Sequence, residues 1–158
     1  MKQLSYSSQN EAETDRLGVA LADLLPNGAV VALNGPLGAG KTRLVQALAA
    51  ACGIHREEVV SPTFVLCQQY VGSRTIYHLD AYRLHDEDEF RELGVEEFFS
   101  SDALTIIEWA EKVSGCLPAD RVEIEIVVTG PDSRQFVIQS FGPSLQAFQT
   151  QLTQRLEA

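Results

Sequence analysis

The sequence predicts an α/β protein, a mixed sheet flanked by helices with an antiparallel C-terminal ribbon. Three observations predict it. Val30, Val31, Ala32 and Leu33 form an apolar run suited to a strand buried on both faces, and Ala103-Leu104-Thr105-Ile106-Ile107 is a second such run. Leu44, Val45 and Leu48 recur at helical spacing after the first run. From Arg121 the period becomes two, with Val122, Ile124, Ile126 and Val128 alternating with Arg121, Glu123 and Glu125, the pattern of a strand with one wet face. A chain of 158 residues, 45% hydrophobic and without an internal repeat, is the size of one domain spanning 1–158.

The elements follow in order. Ser8 with Glu11 makes a capping box, and Leu17, Leu21, Leu24 and Leu25 mark one face of a first helix that Pro26-Asn27-Gly28 ends. The strand at 30–33 runs into a glycine-rich turn and a helix that Gly53 closes. Phe64 to Tyr70 and Arg74 to Asp80 read as strands of a hairpin joined across Val71-Gly72-Ser73. A short acidic helical region follows, and then the strand at 103–107 leads straight into Glu108-Trp109. Gly130-Pro131-Asp132 turns the ribbon into a second strand around Phe136 and Ile138. Leu145, Phe148, Leu152 and Leu156 then suit a closing amphipathic helix begun by Ser144.

Composition narrows the function classes. A formal net charge of −10 argues against strong unaided binding to RNA or DNA, which draws most of its affinity from a basic surface. The acids gather in His85-Asp86-Glu87-Asp88-Glu89 and in Glu96-Glu97, a pattern read first as a solvated helix face and second as a surface for a basic partner. No apolar run approaches a membrane span, and Met1 to Gln9 is polar where a signal peptide needs an apolar segment, so the expectation is a soluble, cytoplasmic protein with no membrane partner. Cys52, Cys67 and Cys116 share no metal-like spacing and read as reduced, mostly buried thiols.

The turn after the first strand is Gly35-Pro36-Leu37-Gly38-Ala39-Gly40-Lys41-Thr42, which fits GxxxxGK[ST] at every required position. Strand, loop and helix come in the order this motif requires, so the fold expected is P-loop NTPase-like. Glycines let the backbone curl until successive N–H groups converge on one anion. Lys41 supplies a point charge for the β and γ phosphates, Thr42 a hydroxyl for the shell of a bound Mg²⁺, and the helix its positive N-terminal end.

Such a loop needs an acid at the end of a neighbouring strand, and Asp80 and Glu108 both qualify. Glu108 follows the cleaner apolar run and is favoured for the metal. Asp80 ends a more polar strand containing Tyr77 and His78, and either orients or deprotonates the attacking water or is a solvated turn residue. Thr63, in Ser61-Pro62-Thr63, is a candidate γ-phosphate sensor or part of a plain proline turn. Trp109 packs beside Glu108 or walls the site. His78 and His85 lack paired metal ligands and a nearby nucleophile and read as structural or surface residues. No Asn-Lys-x-Asp segment for reading guanine occurs, which makes ATP the better expectation.

Five blocks together resemble the TsaE family: GPLGAGKT at 35–42, SPTFVL at 61–66, YHLDAYRL at 77–84, ELGVEEFF at 92–99 and IIEWAEKV at 106–113. The tail beyond Asp120 carries little of the likeness. Pro36 stands where members often carry an acid and Ala110 replaces a frequent proline, departures that touch loop shape more than chemistry. The resemblance implies an ATPase, weak alone, in the machinery that makes threonylcarbamoyladenosine in tRNA. It implies ATP and Mg as cofactors, and TsaD and TsaB proteins as partners, with tRNA met only through that complex. It also implies Lys41 and Thr42 on phosphate and metal, Glu108 completing the metal site, and Asp80 and Trp109 in the functional wall. The competing readings are a kinase, in which Asp80 activates a substrate hydroxyl, and a nucleotide-gated binding module that does not hydrolyse.

Overall fold

A computed structural model describes residues 3–60 and 67–157. Among the described residues seven strands form one sheet in the order β1-β7-β6-β2-β5-β4-β3. They are β1 (Gln3–Ser8), β2 (Val30–Asn34), β3 (Cys67–Val71), β4 (Thr75–Asp80), β5 (Leu104–Glu108), β6 (Arg121–Val128) and β7 (Arg134–Phe141). The helices are α1 (Glu11–Leu24), α2 (Lys41–Ala51), α3 (Glu87–Glu92), α4 (Val95–Phe99) and α5 (Gln146–Glu157). β2 lies parallel to both β5 and β6, β4 is parallel to β5, and the β3–β4, β6–β7 and β1–β7 pairs are antiparallel. The mixed sheet and the antiparallel C-terminal ribbon are therefore as the sequence predicts.

The sheet is covered on both faces because alternate residues of its central strands are both apolar. Val31 and Leu33 of β2 join Leu17 and Leu21 of α1, Leu44 and Leu48 of α2, and Phe148 and Leu152 of α5 in one core. Val30 and Ala32 face the other way, with Leu79, Ile107, Phe90, Val95 and Val113. Each fully buried aliphatic side chain of this kind contributes about 1.5–3 kcal/mol. α1 and α2 touch so closely that a Cβ on Gly18 would lie 2.6 Å from the Ala47 Cβ.

Several local expectations need correction. The cap of α1 is Asn10 and not Ser8: the Asn10 side chain accepts from the Glu13 N–H at 2.9 Å, and Glu13 Oε1 accepts from the Gln9 N–H at 2.7 Å. Ser8 instead ends β1, a strand the sequence did not announce, because Leu4 and Tyr6 are its only large inward residues and pairing with β7 supplies the rest. Ser144 lies in a 3₁₀ turn at Pro143–Leu145 and its hydroxyl donates to Asp120, so α5 proper begins at Gln146. Val128, at the end of β6, is exposed. Of the three thiols only Cys52 is buried; Cys67 and Cys116 are half-buried. Thr63 and the first residues of the expected hairpin strand, Phe64 to Leu66, lie outside the described residues.

Candidate functional site

The site forms where β2, β4 and β5 end together. β2 stops at Asn34, and the loop that follows rises to α2, whose first residue is Lys41. Gly40 makes the entry at φ +103, a left-handed conformation that favours glycine. It provides no side-chain cap, so the first-turn N–H groups of α2 remain available to an anion. The C-terminal ribbon braces this loop from the side. Arg134 Nε donates to the Ala39 carbonyl at 2.8 Å while its Nη1 holds the Gly130 and Ser133 carbonyls. A Cβ on Gly35 would come within 2.8 Å of the Ile126 carbonyl oxygen, so that strand passes hard against the loop's first residue.

Lys41 folds back over the loop. Its Nζ donates to the carbonyls of Gly35 at 2.7 Å and Pro36 at 3.0 Å and sits 3.9 Å from the centre of the Trp109 ring. Only 5% of Lys41 is exposed. Burial lowers its pKa, while the charges of Glu108, Glu111, Asp80 and Glu125 pull it back up.

Next to it, the Thr42 hydroxyl donates to Glu108 Oε2 at 2.9 Å. Glu108 ends β5 and is paired in register with Asp80 at the end of β4. Both carboxylates are buried, at 3% and 4% exposure, and Asp80 Oδ1 accepts from the Tyr82 N–H at 2.8 Å. The chain then turns sharply at Trp109, whose φ of 58° is unusual for a bulky residue and costs on the order of 1–3 kcal/mol. Two contacts hold that turn: the Asn34 side chain accepts from the Glu111 N–H at 3.0 Å, and Tyr82 packs against the indole at 4.9 Å between ring centres.

The predicted residues other than Thr63, which lies outside the described residues, come together. Leu37, Gly38, Ala39, Gly40, Lys41, Thr42, Asp80, Glu108 and Trp109 line one cleft of about 330 Å³, and Gly35 and Pro36 line an adjoining recess with Trp109. On the far side of the loop a larger cleft of about 550 Å³ opens between the α1 cap and the ribbon, lined by Gln9, Asn10, Ala39, Gly40 and Arg134 among others. No cluster of three or more His, Cys, Asp or Glu side chains able to hold a metal exists among the described residues. A metal here would therefore depend on Thr42 and Glu108, hard oxygen donors 2.9 Å apart, supplemented by a ligand and water, the donor set Mg²⁺ accepts.

Three participants were not legible as such. His85 is exposed, as a surface residue should be, but His78 is fully buried and its Nε2 lies 2.5 Å from Glu108 Oε2. Behind it stands Tyr70, its hydroxyl 3.0 Å from His78 Nδ1 and its pKa pushed up to about 12 by burial and by the charge of Glu108. Arg134 is the third. The i, i+2 spacing of His78 and Asp80 on one strand was the available signal for the histidine; for Tyr70 and Arg134 only the sheet order brings them near.

A phosphate-loop motif between a parallel strand and a helix, with a threonine hydroxyl on a buried acid at the end of the adjacent strand, defines a nucleotide-binding P-loop protein. The family model described as threonylcarbamoyl adenosine biosynthesis protein TsaE matches residues 8–136, and the chain belongs to the TsaE family. That match runs past Asp120 into β7, farther than the sequence blocks suggested. Among its relatives, the tRNA threonylcarbamoyladenosine biosynthesis protein TsaE of Treponema pallidum is 39% identical over 83% of this chain and 96% of its own length. The protein of that name from Bacillus subtilis is 37% identical over 90% of this chain and 89% of its own. The crystal structure of Bacillus subtilis YdiB superposes with a TM-score of 0.81 at 28% identity, covering 97% of this chain and 95% of that one. No described helix is long and apolar enough to cross a membrane.

Proposed function

We propose that this protein binds and hydrolyses ATP in the tRNA threonylcarbamoyladenosine machinery, slowly alone and faster with a TsaD–TsaB complex in the cytoplasm. The observation that carries the reading is the Thr42–Glu108 pair beside Lys41, with Asp80 one strand away. The loop amides from Leu37 to Thr42 and the N-terminus of α2 receive the β and γ phosphates, and Lys41 exchanges the Gly35 and Pro36 carbonyls for phosphate oxygens. Thr42 and Glu108 would hold Mg²⁺, which when bound would supply positive charge beside the phosphates. Asp80 accepts a proton from, or orients, the attacking water. Trp109 walls the cleft, Thr63 senses the γ-phosphate, and the 550 Å³ cleft on the other side of the loop receives the nucleoside.

Burial favours a role in the site over a surface role for the two acids, since taking a carboxylate out of water is costly and is tolerated where function requires it. A kinase reading gains nothing from Arg43, engaged with Asp15 at 2.8 Å, or from Arg91, engaged with Asp88 at 3.0 Å. A matched pair of variants tests the proposal. Asp80→Asn should bind ATP as the wild type does and release phosphate at least about 100-fold more slowly, whereas Lys41→Ala should weaken binding itself. Normal turnover by Asp80→Asn removes that residue from the mechanism, and transfer of the phosphate to a small molecule or protein would make the protein a kinase.

A further inference from the structure

His78 is a fully buried imidazole with a polar partner at each ring nitrogen. An ionised carboxylate can only accept hydrogen bonds, so the 2.5 Å contact is His78 Nε2–H donating to Glu108 Oε2. The same oxygen takes the Thr42 hydroxyl from the side of α2. Two donors from two elements fix both the torsion and the plane of the Glu108 carboxyl, and Oε1 has no hydrogen-bond partner among the described residues. The imidazole is itself oriented from behind. Tyr70 on β3 meets Nδ1 at 3.0 Å and donates to Gln68 Oε1 at 2.8 Å, and Gln68 is the direct cross-strand partner of His78. The chain of contacts thus runs from the edge strand through β4 and β5 to the first turn of α2.

We infer that His78 is a positioning residue for Glu108: it holds the carboxylate in the orientation that serves the metal, and so sets how strongly Mg²⁺ enhances nucleotide binding. The inference rests on the nucleotide–Mg²⁺ reading above. A histidine that only fills the core would need any acceptor; this one is placed on the oxygen shared with the phosphate-loop threonine. Partners of this kind behind a metal ligand are worth about 10- to 100-fold in metal affinity.

Calorimetric titration of the full chain with a non-hydrolysable ATP analogue, in Mg²⁺ and in EDTA, provides the test. His78→Ala should keep the affinity in EDTA within about twofold and lose about tenfold of the gain that Mg²⁺ brings. His78→Gln, which restores an N–H donor, should recover most of that gain. Tyr70→Phe should lose about two- to threefold of it, as the more distant partner. An undiminished Mg²⁺ gain in His78→Ala, or equal losses in both buffers for the alanine and glutamine variants, overturns the inference. If His78→Ala does not fold, an undiminished gain in both His78→Gln and Tyr70→Phe overturns it instead, because the hydroxyl loss should still register. A wild type whose affinity is indifferent to Mg²⁺ refutes the metal reading itself, which the variants alone could not do.

Discussion

On one side of β2 the sheet continues through β5, β4 and β3; on the other it continues through β6, β7 and β1. The first side is buried on both faces where it matters, with all five residues of β5 inaccessible, and its strand ends carry Asp80 and Glu108, with His78 just short of Asp80. The second side alternates inward Val122, Ile124 and Ile126 with outward Glu123 and Glu125, and it reaches the phosphate loop through the Ile126 backbone and the Arg134 guanidinium. Parallel strands that end together deliver side chains to one point, whereas the antiparallel ribbon delivers area. The site side therefore spends buried volume on polar groups, and the ribbon side recovers stability through apolar packing.

Damaging each side once separates their roles. Ile138→Ala, in the ribbon core at 0% exposure, should cost about 2–5 kcal/mol in denaturant unfolding and leave the nucleotide affinity of the folded fraction unchanged. Glu108→Gln should do the reverse, with the Mg²⁺-dependent part of nucleotide binding lost and the unfolding midpoint within about 1 kcal/mol of wild type, since the amide oxygen still accepts from Thr42. If both variants lose affinity and stability together, the two sides are not separable.

Arg134 crosses the divide. Arg134→Ala removes the bond to the Ala39 carbonyl and should weaken nucleotide binding about three- to tenfold with a stability loss of about 1–2 kcal/mol, read by titration and melting on the same sample. The smallest effect concerns the seat of α2. Asp15 is partly buried, which raises its pKa, but hydrogen bonds and charge from Arg43 and Arg56 outweigh that and lower it below its ordinary value of 3.8. A depressed carboxylate stabilises the fold above its unfolded pKa and ceases to do so as pH falls through the folded one. Asp15 is about one-third exposed, so Asp15→Asn should cost no more than about 0.5–1 kcal/mol at pH 7, with the difference from wild type shrinking in urea unfolding as pH falls through the lowered folded pKa.

Much of this was legible in the residues. The apolar runs of β2 and β5 fixed the parallel centre, since strands without a wet face must lie inside a sheet. GxxxxGK[ST] located the loop, and acids that directly follow buried strands located Asp80 and Glu108. β1 was illegible because its stability comes from pairing with β7 and not from its own composition. The α1 cap lies two residues beyond Ser8 because Ser8 and Asn10 both suit a cap, and only the strand decides between them. His78 could be signalled only by its i, i+2 spacing to Asp80, and Tyr70 belongs to the site through sheet order, which places β3 beside β4 and β4 beside β5 and which no spacing within the chain encodes directly.

Phosphate release reports whether ATP is hydrolysed under the control of partner proteins. ATP turnover would be measured for the chain alone and with a TsaD–TsaB pair added, with tRNA present and absent. Slow, Mg²⁺-dependent release by the chain alone and a clear rise with the pair are expected. ATP bound at the loop with no release in any of these mixtures would contradict it and leave a nucleotide-gated binding module.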